Sequence, residues 1–146
     1  MTAWPLILVL AGFFSLPAGQ TPAPEPADPA AQNLRPIIEK HLGRPYVWGA
    51  SGMKSFDCSG FVWRVMTDKG ILIKRTTARK FYLCLPPVEE GNKVQFGNII
   101  FFDNLKHCGI VNDSGTFYHA QCKRGTNLSR LNRFWTPKVC GVRKMP

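Results

Sequence analysis

One cysteine and two histidines carry the side chains best suited to chemistry in this chain. Cys58 lies in the run Phe-Asp-Cys-Ser-Gly-Phe-Val (56–62), and His107 and His119 follow on two segments with the composition of neighbouring strands. A thiolate is a strong nucleophile, and an imidazole can take the thiol proton and return it to a leaving group. Because an ordinary thiol has a pKa of about 8.5, such a site must lower that pKa with a nearby cation or a helix N-terminus. These residue types predict acyl transfer at a cysteine.

The residues around Cys58 predict a helix that begins there. Asp57 can accept hydrogen bonds from the first free N–H groups, apolar residues recur at helical spacing through Met66, and Gly70 favours a stop. In the first turn, the helix dipole and unpaired N–H groups stabilise a thiolate and later an oxyanion. The alternative is a buried thiol that packs as a small hydrophobe. Asp before Cys58 and Ser-Gly after it favour the nucleophile.

The two histidines are predicted to share one face of a β-hairpin. Segments 97–102, 107–111 and 116–121 have strand composition, and Asn-Asp-Ser-Gly (112–115) suits a three-residue loop with its glycine in the left-handed conformation. That register pairs Asn112 with Thr116 and Gly109 with His119, and it leaves His107 diagonal to His119 at about 7–8 Å. A glycine at 109 would leave space for one imidazole to orient the other. A one-residue change in the loop would place the histidines on opposite faces.

Several short motifs in register resemble those of the NlpC-type cell-wall cysteine peptidases over about residues 34–146. They are Arg44–Gly49, Asp57–Val62, Arg75–Thr77, Gly97–Phe102, His107–Val111 and Tyr118–Ala120. The resemblance implies an α+β fold with a papain-like cysteine peptidase core, in which the nucleophile helix packs on a mainly antiparallel sheet. The chain departs from the family pattern at Ala50, Asn98 and Cys108, the last of which replaces an aliphatic residue.

The resemblance also implies roles for the three reactive side chains. Cys58 would be the nucleophile, His107 the general base and acid, and His119 the polar group that orients His107. The implied reaction is hydrolysis of an amide through a thioester acyl-enzyme, without a metal or a cofactor. Three alternatives remain: an amidase or transferase on the same Cys/His site, a wall-degrading toxin or secretion-linked hydrolase, and a catalytically silent wall-binding module.

The substrate that the resemblance implies is a peptidoglycan stem peptide. The bond would be the link from γ-D-glutamate to the diamino acid. Tyr46 would line the catalytic cleft, and Asp57 and Ser59 would help to hold the free amine end of the stem.

The charge of the chain favours anionic partners. Nineteen Lys and Arg stand against nine Asp and Glu, a net charge of +10, and the segment from Lys123 onward has seven basic residues and no acidic one. Nucleic acid is the second candidate on charge alone, but the basic residues are scattered and no binding motif accompanies them. We therefore expect no specific nucleic-acid site, and a solvated basic surface that attracts the wall.

The N-terminal composition predicts an exported protein. Residues 1–20 carry an apolar run from 6 to 16 and have the character of a signal peptide, residues 21–33 form a Pro/Ala-rich linker, and residues 34–146 form the NlpC-type catalytic domain. The alternative for the first segment is a membrane anchor, for which the run is short. We expect a monomer in the periplasm or outside the cell, without stable membrane insertion after cleavage.

Two further short helices are expected around the nucleophile helix. Residues 34–42 predict one that Pro36 opens and Gly43 stops, with His41 on the surface near its end. A second is expected after the threonines at 76–77.

The five cysteines fit an oxidising compartment. Cys58 would have to stay a thiol, and the other four could form up to two disulfides, with three possible pairings. These four are Cys84, Cys108, Cys122 and Cys140. A zinc site built from Cys and His is the competing interpretation, but the spacings match no common zinc motif.

Overall fold

A computed structural model describes residues 29–146, so the predicted signal peptide (1–20) and the first part of the predicted linker lie outside the described residues. In the described part, helices precede strands along the chain. The elements are α1 (Pro29–Glu39), α2 (Cys58–Asp68), α3 (Ala78–Cys84), β1 (Ile99–Phe102), β2 (His107–Asp113), β3 (Thr116–Gln121), β4 (Gly125–Arg130) and β5 (Val139–Arg143). No helix of this part is long and apolar enough to cross a membrane.

The five strands form one antiparallel sheet in the order β4-β3-β2-β1-β5. The helices cover one face, where apolar residues of α1, α2 and α3 pack with Ile99, Phe101 and Ile110. A smaller cluster on the other face joins Phe102 and Phe117 to partly buried residues that include Trp135. The prediction of an α+β fold with the nucleophile helix on an antiparallel sheet is confirmed.

Helix α2 begins at Cys58 as predicted. The Asp57 side chain caps it by accepting a hydrogen bond from the Gly60 N–H at 2.6 Å, and Gly70 follows the helix in the left-handed region at φ +93°. The apolar side of α2 is fully buried against the sheet. Packing and capping together fix the direction in which Cys58 faces.

Helix α1 differs from the prediction because Pro36 lies inside it rather than at its start. The Ala-rich residues before Pro36 are good helix formers, so the helix extends back to Pro29 although Pro36 has no N–H to donate. Leu34 and Ile38 are buried and attach α1 to the core. The predicted linker boundary at residue 33 therefore falls inside a helix.

His41 was expected on the surface and is instead 1% exposed. Its Nε2 lies 2.7 Å from Asp68 Oδ2, and its ring meets the Phe56 ring edge-on at 5.3 Å. The segment after α1 turns back over the end of α2, and the hydrogen bond to Asp68 makes burial of the imidazole possible.

The hairpin between β2 and β3 confirms the pairing of Gly109 with His119 but not the predicted turn. Asp113, not Asn112, pairs with Thr116, the register shifts by a bulge between Val111 and Asp113, and Gly115 does not have a positive φ. The Asp113 carboxylate accepts a hydrogen bond from the Gly115 N–H at 2.8 Å, which closes a tighter turn. The bulge lies between the turn and the histidines, so it leaves their register unchanged.

Candidate active site

Cys58 is the first residue of α2 and is 7% exposed. Its Sγ lies 3.8 Å from the Lys106 carbonyl oxygen, to which the protonated thiol can donate a long hydrogen bond. The pKa of Cys58 falls from 9.0 to about 5, mainly through a hydrogen bond from the Cys108 thiol; burial opposes this shift, and the hydrogen bond and charge of His107 add to it. At neutral pH the group is therefore a thiolate.

Cys108 lies on β2 beneath Cys58 and is fully buried. Its side chain points away from His107, as alternation predicts, and towards the nucleophile. The hydrogen bond to Cys58, together with burial, raises the pKa of Cys108 well above its ordinary value, so it stays a thiol and a donor.

The predicted disulfides are not present. All five cysteines lie in the described part of the chain, and each is a free thiol there. Cys108 is enclosed beside Cys58. The remaining three cysteines are exposed: Cys84 on α3, Cys122 in the β3–β4 turn and Cys140 on β5. Within residues 29–146, no three His, Cys, Asp or Glu side chains are grouped so that they could hold a metal ion.

The two histidines contact each other directly. His107 Nε2 lies 2.8 Å from His119 Nδ1, and the rings are nearly perpendicular at 81°. His119 is completely buried, and this burial, followed by the charge of His107, lowers the pKa of His119 to about 3. His119 is therefore neutral at physiological pH. Trp135 stacks on the His107 ring with centroids 5.4 Å apart and an angle of 23°, which limits the rotation of that ring.

Gly109 lies directly opposite His119 where β2 pairs with β3. A Cβ at this position would lie 2.5 Å from the Tyr118 carbonyl oxygen and 3.1 Å from the His119 Cβ. No side chain fits at position 109, while the idea that the glycine also leaves room between the imidazoles stays a prediction.

Asp57 and Ser59 form a hydrogen-bonded cluster with Arg75 at the start of α2. Asp57 Oδ1 accepts from the Gly60 N–H, from Arg75 Nη2 at 2.8 Å and from Ser59 Oγ at 3.2 Å. Its Oδ2 accepts from the Gly49 N–H at 2.9 Å. A carboxylate offers about four acceptor positions, and four donors already use them, three at Oδ1 and one at Oδ2. Oδ2 is therefore the less crowded of the two oxygens.

Two cavities flank the reactive side chains, and Tyr46 lines both of them. The cavity on the Cys58 side has a volume of about 620 Å³ and includes Trp48, Asp57, Ser59, Arg75 and Arg79. The cavity on the His107 side has a volume of about 460 Å³ and includes Gln121, Cys122 and Trp135. Burial and, secondarily, the charge of Cys58 raise the pKa of Tyr46 to about 12, so its hydroxyl keeps its proton. A chain that runs from one cavity to the other would pass Cys58 and His107.

The turn between β1 and β2 contributes to both cavities in a strained conformation. Asp103, Asn104 and Leu105 all have positive φ values, 52°, 52° and 66°. This conformation costs Leu105 roughly 1–2 kcal/mol, whereas Asp and Asn adopt it more readily. This turn places the Lys106 carbonyl against Cys58 and closes one side of the cleft.

The structure thus brings together Cys58, His107 and His119, and it places Tyr46, Asp57 and Ser59 around them. Sequence reasoning missed Cys108 as a donor to Cys58, Arg75 as the partner of Asp57, Trp135 as the cover of His107, and Ser129. Ser129 Oγ lies 2.8 Å from His119 Nε2. Arg75 stood in one of the short motifs, which was a usable signal. The others depend on strand pairing and on the segment after β4.

Comparisons with known proteins agree with this architecture. A family model described as the NlpC/P60 family matches residues 43–144. A probable peptidoglycan endopeptidase LytE of Bacillus subtilis is 31% identical over 108 residues, which cover 70% of this chain and 31% of that protein. A gamma-DL-glutamyl hydrolase of the same organism is 30% identical over 129 residues, 81% of this chain and 30% of that protein.

A solved structure has a similar fold. The crystal structure of an NLP/P60 family protein, similar to lipoprotein, from Staphylococcus aureus superposes with a TM-score of 0.70 at 29% identity, covering 87% of this chain and 45% of that chain. The chain spans about a third of the length of the two curated relatives described above.

Proposed function

The chain belongs to the NlpC/P60 family, and from that premise we propose that it is a cysteine peptidase that hydrolyses the γ-D-glutamyl to diamino-acid bond of peptidoglycan stem peptides. The observation that carries the proposal is a thiol with a pKa of about 5 at a helix N-terminus, beside an imidazole that a second imidazole holds. The names of the two Bacillus relatives support peptidoglycan and a γ-glutamyl bond as targets.

In the proposed reaction, the Cys58 thiolate attacks the carbonyl carbon of the scissile amide. Backbone N–H groups in the first turn of α2 stabilise the oxyanion, because the helix dipole is positive there. His107 holds the proton that came from the thiol and delivers it to the leaving amine, which leaves a thioester on Cys58. His107 then takes a proton from water, and the resulting hydroxide attacks the thioester carbonyl and releases the acid.

The proposed substrate lies across both cavities, with its free amine end on the Cys58 side. Among the described residues, Asp57 Oδ2 accepts one hydrogen bond against three at Oδ1, so the amine would approach Asp57 at Oδ2, and Ser59 lies beside it. Tyr46 stands between the cavities and would contact the stem near the scissile bond.

The same proposal includes a location. Peptidoglycan lies outside the cytoplasm, so residues 1–20 would act as the export signal, residues 21–33 as a linker that gives way to α1, and residues 34–146 as the catalytic domain. The protein would work as a monomer in the periplasm or outside the cell.

Digestion of purified peptidoglycan, with the fragments identified by mass spectrometry, tests the function. The wild type should release stem fragments cut after γ-D-glutamate, and Cys58→Ala should release none. Cys84→Ser is the matched control, because Cys84 is exposed on α3 and lines neither of the two cavities beside Cys58. Release by Cys58→Ala at the rate of the control would refute the assignment of the nucleophile.

Two histidine variants separate the proposed roles. His107→Ala should lower kcat/KM by roughly 10²–10⁴-fold or more, since no other group takes the Cys58 proton. His119→Asn should keep measurable activity, because an amide oxygen can still accept the hydrogen bond from His107 Nε2. If His119→Asn is the less active of the two on a defined stem peptide, the roles are reversed.

A further inference from the structure

A continuous line of hydrogen bonds runs from the candidate catalytic histidine to strand β4. It joins His107 to His119 at 2.8 Å, His119 to Ser129 at 2.8 Å and Ser129 to Asn127 at 2.9 Å. We propose that Ser129 and Asn127 are positioning residues that fix the tautomers of both histidines, so that Nδ1 of His107 is the nitrogen that exchanges a proton with Cys58. The expected effect on kcat rests on the proposed function, whereas the assignment of the histidine tautomers does not.

The direction of every hydrogen bond in the line follows from Asn127. Its Nδ2 donates to the Gly125 carbonyl at 2.8 Å, and a carbonyl can only accept, so the amide orientation is fixed. Oδ1 of Asn127 then faces Ser129 and also accepts from Gln121 Nε2 at 3.1 Å. The end of the line is therefore an acceptor.

Ser129 has one proton, and it must give that proton to Asn127 Oδ1. Its oxygen can then only accept from His119 Nε2, which must carry a hydrogen. His119 is buried and neutral, so it has a single N–H and its Nδ1 bears a lone pair. That lone pair faces His107 Nε2 and requires an N–H there.

His107 is left with one ring nitrogen free to change its protonation. With a hydrogen fixed on Nε2, neutral His107 presents the lone pair of Nδ1, and the protonated ring keeps its bond to His119 unchanged. If every hydrogen bond ran in the opposite direction, His119 Nδ1 would carry a hydrogen that meets the N–H of the protonated His107. The direction set by Asn127 therefore suits both the neutral and the protonated form of His107, and proton transfer needs both forms.

Strand pairing explains why these residues meet. His119 is directly opposite Asn127 across the β3–β4 pair, and Ser129 follows two residues later on the same face of β4. Directly opposite and diagonal neighbours on one face of a sheet are within reach of side-chain hydrogen bonds. A role confined to packing would not require a fixed direction for four successive hydrogen bonds.

Long-range ¹H–¹⁵N NMR of the histidine rings tests the inference on the wild-type protein without a substrate. His119 is expected to carry its proton on Nε2 at neutral pH, and His107 is expected to carry one on Nε2. Protonation of His119 at Nδ1 would overturn the proposal. If peptidoglycan proves not to be the substrate, this measurement still decides the tautomers, so the two proposals fail separately.

Variants test the direction of the line. In Asn127→Leu the hydroxyl proton of Ser129 is free to turn towards His119 Nε2, so the His119 proton should move to Nδ1 and kcat should fall about 10- to 100-fold. Asn127→Asp keeps the acceptor for Ser129 but loses the donor to the Gly125 carbonyl, so it should preserve the tautomer of His119. An unchanged tautomer in Asn127→Leu would overturn the proposal.

Ser129→Ala should also lower kcat by about 10- to 100-fold. KM should change little, because Ser129 lines neither of the two cavities that the substrate is proposed to occupy. Ser129→Thr keeps the hydroxyl and should restore the rate. Ser114→Ala, in the exposed β2–β3 turn, is the matched control and should behave as the wild type. A wild-type kcat in Ser129→Ala would contradict the inference.

Discussion

At the scale of single residues, the thiol of Cys58 is tuned mainly by another thiol. The hydrogen bond from Cys108 is the largest influence on the Cys58 pKa, ahead of burial and of His107. A buried thiol can serve as a neutral donor because burial and the adjacent thiolate hold its own proton in place. Where the NlpC pattern has an aliphatic residue, this chain thus places a hydrogen-bond donor under the nucleophile.

Alkylation of Cys58 by iodoacetamide should rise as the pH passes about 5 and stay level above it. The folded pKa lies below that of an ordinary thiol, so the thiolate exists above pH 5 and is lost as the pH falls through that value. Cys108→Val removes the donor and should move the midpoint to higher pH. Peptide mass spectrometry of Cys58 follows the reaction separately from the exposed thiols.

Cys84→Ser is the control for this titration and should leave the midpoint unchanged, since Cys84 is exposed on α3. An identical midpoint in Cys108→Val and wild type would show that Cys108 only fills space.

The candidate site was predictable from sequence only where short-range rules apply. Alternation and the presence of Gly109 were enough to bring His107 and His119 to one face, and Asp57 was enough to place Cys58 at a helix start. Ser129 and Asn127 could not be found, because they lie on β4, whose sequence is mostly polar and carries no strand pattern. Their contacts depend on pairing with β3, which no local signal specifies.

At the scale of elements, a polar clamp formed by Asp68, His41 and Lys40 joins the end of α1 to the end of α2. Asp68, in the last turn of α2, accepts from His41 Nε2 at 2.7 Å and from Lys40 Nζ at 2.9 Å. Burial alone would raise the pKa of Asp68, but the hydrogen bonds and charges of Lys40 and His41 outweigh it and lower that pKa. The helix that carries Cys58 is therefore held at its far end as well as at its cap.

His41→Ala should reduce the free energy of unfolding by about 1.5–3 kcal/mol, because it removes a partly buried hydrogen bond to the carboxylate of Asp68. Lys40→Ala is the matched comparison, and it should cost less than about 1 kcal/mol because the Lys40 side chain is half exposed. Urea denaturation of the three proteins measures both differences. Equal losses would mean that the burial of His41 contributes nothing beyond a surface ion pair.

Acid should weaken the stabilisation that this clamp provides. Because the folded pKa of Asp68 is lowered, its contribution to stability is present above the pKa of an unfolded aspartate, about 3.9, and is lost as the pH falls through the folded value. The difference in the free energy of unfolding between wild type and His41→Ala should therefore become smaller below about pH 4.

Elements with a strong local pattern were predicted, and those that depend on distant partners were not. Helix α2, the cap of α3 at Thr77 and strand β3 were found from caps and apolar periodicity. Strand β5 was not predicted, because it is half exposed and is defined by its pairing with β1. The prediction of α1 placed Pro36 at the helix start, but a helix that is packed on the core tolerates a proline in its interior.

At the scale of the whole molecule, the charge is strongly one-sided. Every Lys and Arg of the chain lies in the described part, where nineteen of them stand against seven Asp and Glu. Such a field raises the local concentration of anionic polymer and is screened by salt. Two basic residues, Lys123 and Arg124, are exposed at the β3–β4 turn, next to the cavity on the His107 side.

Binding of the inactive Cys58→Ala protein to purified cell walls should weaken several-fold between about 0.05 and 0.5 M salt. Reversal of the exposed pair, Lys123→Glu with Arg124→Glu, should weaken binding at low salt and flatten the salt dependence. The swap Lys123→Arg with Arg124→Lys keeps the charge and should bind as the parent does. A sedimentation assay measures all three, and salt-independent binding would assign wall affinity to uncharged contacts.

The reactivity of Cys58 depends on two parts of the molecule that are distant in the chain. Strands β1 to β4 pair with their neighbours in the chain, so consecutive pairings bring together the two histidines and their hydrogen-bonded partners. Cys58 meets them where α2 packs on β2, and the groups that lower its pKa, Cys108 and His107, both lie on β2. An undocked α2 would leave the thiol with an ordinary pKa and little nucleophilicity at neutral pH. We therefore expect the reactivity of Cys58 to report the docking of its helix on the sheet.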